Sequence, residues 1–438
     1  MSFSQLFTHI SNLSLRQTSN SSHLPSQNHL LGLRGLLVIQ SFLFTFFQTF
    51  LPTAVANSAN TTGPLYQLIL RKSLSVLFWN ESLIYSFIIL LSARTICIPF
   101  LAKPDRTVCA SAIFRRNLRL WIPTFIAFSL SATAFSTAST SYITDFLTIT
   151  GNVSTTAPLR LRSFLTYFNA LFELFWVTKS YSSQAANSAF PAGMLWVVSV
   201  LFQQSYTVYM TMVIAPYTRA SWRVKALLTF ILTAWWVQSW AWYSITGLLL
   251  ADAVLNMDFA SKSRCGFKVG KVRVPTWVLY GLMVVGGVVL QYLFIAWRPE
   301  FRNAELYGHT GLYTGGGLNS QVDESEPQAR DDNYLIVVGV MLLVETYEGL
   351  QKILRSKLLV AIGRRSFSVF LVQPILIYTA GIKLYLRLHS SALSHEVSTL
   401  ICFLLCLPLV VVASEVFYRI VDVPSMGVAH WIWAWMRK

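Results

Sequence analysis

The chain has little charge, few acidic residues and few cysteines, and each scarcity excludes a class of protein. Only 12% of its 438 residues are charged, whereas soluble domains carry about 25%. The 34 lysines and arginines outnumber the 18 aspartates and glutamates. Such an excess in a soluble protein would suggest nucleic-acid binding, but between apolar segments it is typical of cytosolic loops. We therefore predict no nucleic-acid partner.

The five cysteines give no disulfide framework, because none falls in a segment that we place outside the cytosol. Cys402 and Cys406 are four residues apart on one helix face. A metal site needs further ligands, and no other ligand lies near this pair in sequence. We predict that no metal is bound.

Hydrophobic residues are abundant and make up 54% of the chain. A bilayer core about 30 Å thick needs roughly 20 apolar residues per helix, and backbone groups in lipid must be satisfied within the element. The sequence therefore predicts an all-α polytopic membrane protein with about ten transmembrane helices. The predicted spans are 36–56, 76–99, 120–138, 164–178, 194–215, 226–255, 277–297, 334–348, 367–386 and 397–418.

The stretch 226–255 is too long for one untilted helix and fits either one long kinked helix or two short ones. Residues 1–30 are rich in Ser, Asn, Gln and His and lack a signal-peptide pattern, so we predict a disordered cytosolic tail. The transmembrane domain then covers 31–424, and 425–438 is a cytosolic C-terminal tail.

The charge of the connecting segments predicts the orientation. With 226–255 counted as one span, both termini and the three most basic segments face the cytosol, while the acidic loop 298–333 lies outside. Arg219, Arg223 and Lys225 conflict with this arrangement, because they also fall outside. The conflict disappears if 164–178 is re-entrant and 226–255 is a hairpin.

Arginines mark the cytosolic starts of three predicted spans. Arg34 precedes the first span, Arg116 and Arg119 share one helix face at the third, and Arg364 lies at the ninth. One interpretation is that these residues anchor the helices at the cytosolic surface. The other is that they bind a ligand with several phosphates, since guanidinium contacts phosphate in bidentate fashion and a helix N-terminus adds N–H donors.

Five segments, in this order along the chain, resemble motifs of the acyltransferase-3 family of integral membrane O-acyltransferases. Three carry most of the resemblance: Arg34-Gly35, the segment Arg115 to Pro123, and the segment Gly363 to Leu371. Two weaker similarities are Phe87 to Arg94 and Tyr418 to Pro424. Together they extend over nearly the whole chain.

The resemblance implies transfer of an acyl group, with acetyl as the expected one, from acyl-CoA to a hydroxyl of a small metabolite, lipid or sugar. Acyl-CoA would be the cosubstrate, and the acceptor and membrane lipids the other partners. The CoA phosphates would be bound by Arg115, Arg116, Arg119, Arg364, Arg365 and Ser366.

The chain departs from the family at both expected histidines. Thr45 stands eleven residues after Arg34, where the family has its catalytic base, and Gln373 replaces the second histidine. Neither side chain accepts a proton near neutral pH, and none of the seven histidines lies within a predicted span. The alternative function is therefore a non-catalytic member that binds a lipid or metabolite, transports it, or acts as a scaffold.

A buried carboxylate could replace the missing base, because ionisable groups within the membrane are functional candidates. We choose Glu81, near the outer end of the second span, as the base, with Arg34 or Thr45 stabilising the oxyanion. The alternative for each carboxylate is an ion pair or an interfacial position. The other candidates are Glu173, Asp252, Glu345 and Glu415.

Aromatic residues and glycosylation sequons complete the expectations. Trp235, Trp236, Trp240, Trp242 and Tyr243 could line an acceptor pocket or belong to an interfacial aromatic belt. Sequons at Asn60, Asn80 and Asn152 predict a glycoprotein of a eukaryotic endomembrane, of the ER type.

Overall fold

The structure is a computed structural model that describes residues 27–137, 140–178, 180–269, 272–303 and 326–437. Most of the predicted N-terminal tail lies outside these residues, as does the greater part of the loop 298–333.

The described chain is almost entirely helical, which confirms the prediction of an all-α protein. The α-helices are α1 Asn28–Phe50, α2 Leu65–Lys72, α3 Ser75–Phe78, α4 Glu81–Ile96, α5 Ile98–Ala102, α6 Arg106–Ala132, α7 Ser141–Thr150, α8 Phe164–Trp176, α9 Ala185–Ala189, α10 Trp196–Met212, α11 Ala220–Trp236, α12 Ala241–Asn256, α13 Phe259–Arg264, α14 Thr276–Tyr292, α15 Asp331–Thr346, α16 Glu348–Leu354, α17 Lys357–Arg364, α18 Ser366–Leu376, α19 Ile382–Ser390, α20 His395–Phe417 and α21 Val423–Met436. The strands β1 Phe267–Val269 and β2 Val272–Val274 form a short antiparallel hairpin, with Phe267 opposite Val274.

Long apolar helices identify a polytopic membrane protein. Within the described residues, 7 helical segments are long and apolar enough to cross a bilayer, and the pair α15–α16, bent by 101°, brings the number to 8. The helices α11 and α12 have 17 and 16 residues and fall below the 18 that this criterion requires. The segments are Asn28–Phe50, Ser75–Ala102, Arg106–Ser136, Pro191–Tyr217, Thr276–Trp297, Ser366–Ser390 and His395–Met436.

The stretch 226–255 forms two helices, so the two-helix alternative is confirmed. The helices α11 and α12 pack against each other on either side of a break at which Gln238 has φ +53°. Arg223 near the start of α11 lies 2.5 Å from Asp252 near the end of α12. The two helices are therefore antiparallel, and the basic residues around the start of α11 lie at the same end as the basic segment after α12.

The segment 164–178 contains one short helix, and the chain segments on either side of it lie close together. Its helix α8 has only 13 residues and packs beside α6, where Tyr167 Oη lies 2.6 Å from Ser129 Oγ. Further along α8, Phe172 meets Trp121, so α8 runs antiparallel to α6. The backbone N–H of Leu159 donates to Ser188 O at 2.9 Å. The chain therefore enters and leaves this region at the same level.

The C-terminal residues, predicted to be a tail, form the helix α21, which packs against α6. The rings of Phe114 and Trp433 lie 5.9 Å apart, and Arg115 contacts His430. The expectation that no histidine lies within a membrane span is wrong for four of them, because they belong to helical segments long and apolar enough to cross a bilayer: His29, His389, His395 and His430.

The three sequon asparagines form hydrogen bonds with neighbouring parts of the chain. The amide of Asn152 donates to Gln48 O at 2.9 Å and to Thr49 O at 3.0 Å, and the amide of Asn80 donates to Gln291 at 2.8 Å. Asn80 and Asn152 are buried, and Asn60 donates to Gly151 O. The side-chain amides of all three asparagines are thus hydrogen-bonded within the described chain, and glycosylation at these positions stays a prediction.

Candidate functional site

The three arginine clusters meet at a single cavity of about 480 Å³. Its walls come from α1, α4, α6, α10, α17, α18 and α21, which are distant in sequence. The lining arginines are Arg34, Arg115, Arg116, Arg119 and Arg364. The structure therefore brings together five of the arginines that the sequence identifies.

Glycines bring two of the clusters together. A Cβ atom at Gly35 would lie 2.2 Å from Leu359 O, and one at Gly363 would lie 1.8 Å from Leu31 O. Because only glycine permits such contact, the backbones of α1 and α17 touch, and Arg34 and Arg364 face the same cavity. The glycines next to the motif arginines thus have a packing role.

Two of the arginines are held in place by hydroxyls. Arg34 Nη2 donates to Thr95 Oγ1 at 2.5 Å. Arg116 donates to Ser92 Oγ at 2.7 Å and to Ser205 Oγ at 3.2 Å. Neutral partners leave the positive charge uncompensated while they fix the side chains, so these guanidiniums are oriented before any ligand binds.

The other three arginines lie nearer the mouth. Arg115 Nη1 is 2.8 Å from His430 Nε2, and His430 itself lines the cavity. Arg119 and Arg364 are exposed, and neither makes a hydrogen bond or ion pair within the described chain. These two side chains are free to close on a ligand.

The cavity carries a strong excess of positive charge. Asp422 is the one carboxylate among its lining residues, and within the described chain none of the five lining arginines forms an ion pair. Guanidinium groups in such a setting favour a ligand with several negative charges, above all phosphates. Ser92 and Asp422 fall within the two weaker motif similarities, whereas sequence reasoning missed Thr95, Ser205 and His430, because they lie outside all five motif segments.

Arg365 does not contribute to the cavity, although it is predicted to bind the cofactor. Its guanidinium pairs with Glu415 and lies over the ring of Tyr418, 5.7 Å from the ring centre. Glu415 also accepts from Arg419 at 2.6 Å. Ser366, the first residue of α18, does line the cavity. Arg364 lines the cavity and Arg365 does not, because α17 ends at Arg364 and the side chain of Arg365 points away from the cavity.

The inner end of the cavity is apolar. A buried polar cluster lies one helical turn further into the protein. The apolar residues at this end, which we call the floor, are Val38, Ile88, Val197 and Phe370. Each floor residue has a polar-cluster residue three positions away on its own chain segment, about 4.5 Å along a helix. The polar cluster consists of these four residues, Ser41, Tyr85, Met194 and Gln373, and of Thr45, and none of the five lines the cavity.

The predicted catalytic residue Thr45 lies in this polar cluster. Its hydroxyl donates to Ser41 O at 2.9 Å and lies 3.3 Å from Met194 Sδ. Gln373 Nε2 donates to Ser41 Oγ at 2.9 Å and reaches Thr45 Oγ1 at 3.4 Å. The positions of the two missing histidines are therefore adjacent in space, and both are fully buried.

The other two predicted catalytic residues lie apart from Thr45. Arg34 is eleven residues earlier on α1, about 16 Å along the helix, so it cannot share a reaction centre with Thr45. Glu81 accepts a hydrogen bond from Trp196 Nε1 at 3.3 Å. Tyr85, four residues further along α4, has its hydroxyl 3.4 Å from Ser41 Oγ. The expected direct approach of Glu81 to Thr45 is not seen.

Three of the other candidate carboxylates are ion-paired, as the alternative interpretation expects. Asp252 pairs with Arg223, Glu415 pairs with Arg365, and Glu345 lies 2.9 Å from Arg94. Glu173 instead accepts from the backbone of Ala185. Glu81 is thus the carboxylate best placed to act on the polar cluster.

The tryptophan-rich segment packs against the start of α15. Trp242 stacks on Tyr334 at 4.4 Å, and the Tyr243 hydroxyl donates to Arg330 O at 2.6 Å. Trp235 donates to Asp331 at 2.6 Å. These aromatic residues join α11 and α12 to the start of α15, and none of them lines the cavity.

No protein-family profile, curated protein or solved structure matches the chain significantly.

Proposed function

We propose that the chain is a membrane-bound O-acyltransferase that moves an acyl group from acyl-CoA to a hydroxyl of a small metabolite, lipid or sugar. The proposal rests on one observation: three arginine clusters that are distant in sequence meet at one cavity. The apolar floor of this cavity lies one helical turn from a buried polar cluster. An acyl-CoA has the matching order of groups: phosphates, a long flexible arm, and a thioester.

The ligand would lie with its phosphates at the arginines and its thioester at the floor. Arg34 and Arg116 are already oriented, and Arg119 and Arg364 would close on the phosphates from the mouth. The apolar residues between the arginines and the floor would contact the arm. This arrangement sets the thioester carbonyl beside the polar cluster.

Acyl transfer needs a group that takes the proton of the hydroxyl and donors that stabilise the oxyanion. The acceptor oxygen attacks the thioester carbonyl, the C–O bond forms as the C–S bond breaks, and the proton leaves toward Glu81. The thiolate of CoA then takes a proton. The Tyr85 hydroxyl and the amide of Gln373, which both contact Ser41 Oγ, are the donors nearest to this point.

The same proposal includes the orientation of the chain. We infer that the protein lies in an endomembrane with both termini facing the cytosol. Its ten crossings are made by α1, α4, α6, α10, α11, α12, α14, α15, α18 and α20, and α8 is re-entrant. The antiparallel pair α11–α12 supports this, because it moves Arg219, Arg223 and Lys225 to the cytosolic side. The conflict in the loop charges then disappears.

A non-catalytic ligand-binding protein is the second candidate. The observation in its favour is that Thr45 and Gln373 occupy the two histidine positions and hydrogen-bond to the same Ser41. No imidazole lies in the polar cluster within the described chain. A protein of this kind would bind acyl-CoA without turnover.

The test uses purified full-length protein in nanodiscs. Isothermal titration with acetyl-CoA measures binding, and radiolabelled acetyl-CoA with a panel of hydroxylated lipids, sugars and metabolites measures transfer. Binding with transfer supports the transferase, and binding without transfer to any acceptor supports the second candidate. Absence of binding contradicts both.

A further inference from the structure

We infer that the surface formed by α16 and the start of α17 binds an anionic phospholipid of the cytosolic leaflet. The residues of this surface, which we call the α16 surface, are Leu350, Lys352, Ile353, Arg355, Lys357 and Leu358. None of them lines the cavity or belongs to a motif segment. The inference takes the proposed orientation as given and does not depend on acyl transfer.

The bend between α15 and α16 turns α16 along the membrane plane. The two helices meet at an angle of 101°, and α15 is one of the proposed crossings. On one side, Gln351 Nε2 donates to Val344 O of α15 at 2.9 Å. The backbone of α16 also touches α1, because a Cβ atom at Gly32 would lie 1.7 Å from Leu354 O. The remaining sides of α16 therefore lie where the lipid headgroups begin.

Three apolar side chains of the α16 surface are exposed at this level. Leu350 and Ile353 are three residues apart and share a helix face, and 39% and 66% of their surface is exposed. Leu358 of α17 is 70% exposed. Helices at a membrane surface bury such side chains at the boundary between headgroups and acyl chains. These three residues therefore give the α16 surface its contact with lipid chains.

The same surface carries an uncompensated positive charge. Lys352, Arg355 and Lys357 are exposed, and within the described residues none of the three forms an ion pair. Glu348, the acidic residue of α16, is already paired with Arg264 of α13 at 2.9 Å. Long basic side chains reach the headgroups while their stems stay on apolar surface. In the proposed orientation this surface faces the leaflet that carries the anionic lipids, so charge complementarity favours phosphatidylserine over zwitterionic phosphatidylcholine.

The experiment measures the Kd of water-soluble dioctanoyl phosphatidylserine and dioctanoyl phosphatidylcholine for the purified full-length protein in a nonionic detergent. The proteins are the wild type, Lys352→Gln/Lys357→Gln, Ile353→Ser and the matched control Lys103→Gln/Arg106→Gln. Lys103 and Arg106 are also exposed basic residues, but they lie at the start of α6, outside the α16 surface.

The variants should change the affinity for the two lipids differently. Each basic residue beside an anionic headgroup strengthens binding by about fivefold. The double lysine variant should therefore lose roughly twentyfold in phosphatidylserine affinity and keep its phosphatidylcholine affinity. Ile353→Ser should weaken the binding of both lipids, and the control should match the wild type. High salt should reduce the preference for phosphatidylserine.

Four outcomes would overturn the inference. The first is equal affinity of the wild type for the two lipids, and the second is an unchanged Kd in the double lysine variant. The third is displacement of phosphatidylserine by an equal concentration of inorganic phosphate, which would identify a free-phosphate site. The fourth is an equally large loss in Arg119→Ala, which would place the headgroup in the cavity. Each of these leaves acyl-CoA binding standing, because the titration with acetyl-CoA tests it separately.

Discussion

Replacing Arg119 or Arg116 by alanine is expected to weaken CoA binding by different amounts, because the structure holds the two side chains differently. Each would make charge-assisted hydrogen bonds to phosphate, which contribute about 1.5–3 kcal/mol. This corresponds to a loss of roughly ten- to a hundredfold in affinity. Arg119 is exposed and screened by water, so its loss should lie near the lower limit. Arg116 is oriented by Ser92 and Ser205, so its loss should lie near the upper limit.

The assay is isothermal titration of CoA into wild type, Arg116→Ala, Arg119→Ala, Arg119→Lys and Arg106→Ala. Arg106 is the matched control, since it is exposed on the same helix α6 and does not line the cavity. Lysine at 119 should rescue poorly, because an ammonium cannot make the bidentate contact. The Arg119 effect should shrink at high salt. Unchanged affinity in both alanine variants would refute the phosphate site and leave these arginines as orientation signals.

Three further predictions test the base, the packing and the topology. Glu81→Gln keeps the shape of the side chain and removes its basicity, so transfer should be lost while acetyl-CoA still binds; full activity would exclude Glu81 as the base. Gly363→Ala forces α1 and α17 apart and should cost about 1–3 kcal/mol of stability, seen as a lower Tm together with weaker CoA binding. Gly281→Ala, where an added Cβ meets nothing within 4 Å, should not change CoA binding, and equal behaviour of the two variants would contradict the packing role. In a Cys265→Ser background, Glu300→Cys should react with an impermeant thiol reagent applied to the outer face. Lys225→Cys should react only after permeabilisation, and the reverse pattern would reject the proposed orientation.

The sequence alone determined the class of protein and the positions of the arginine clusters. Apolar length and loop charge are properties of single segments, and the transfer of each segment into lipid depends little on its neighbours. For this reason the helical membrane fold was predictable. The stretch 226–255 shows the limit of this reasoning. Its length indicates that it is not one untilted helix, but only the contact between Arg223 and Asp252 shows that it forms two antiparallel helices.

The tertiary structure decided which side chains meet. Arg364 and Arg365 are neighbours in sequence, yet one lines the cavity and the other pairs with Glu415, because the end of α17 sets their directions. The sequence predicts that His430 belongs to a tail, whereas the packing of α21 on α6 places it in the wall of the cavity. Periodicity gives the relative directions of side chains within one helix, whereas contacts between helices depend on how their surfaces fit. The one-turn step from floor to polar cluster, shared by four chain segments, is therefore visible only in three dimensions.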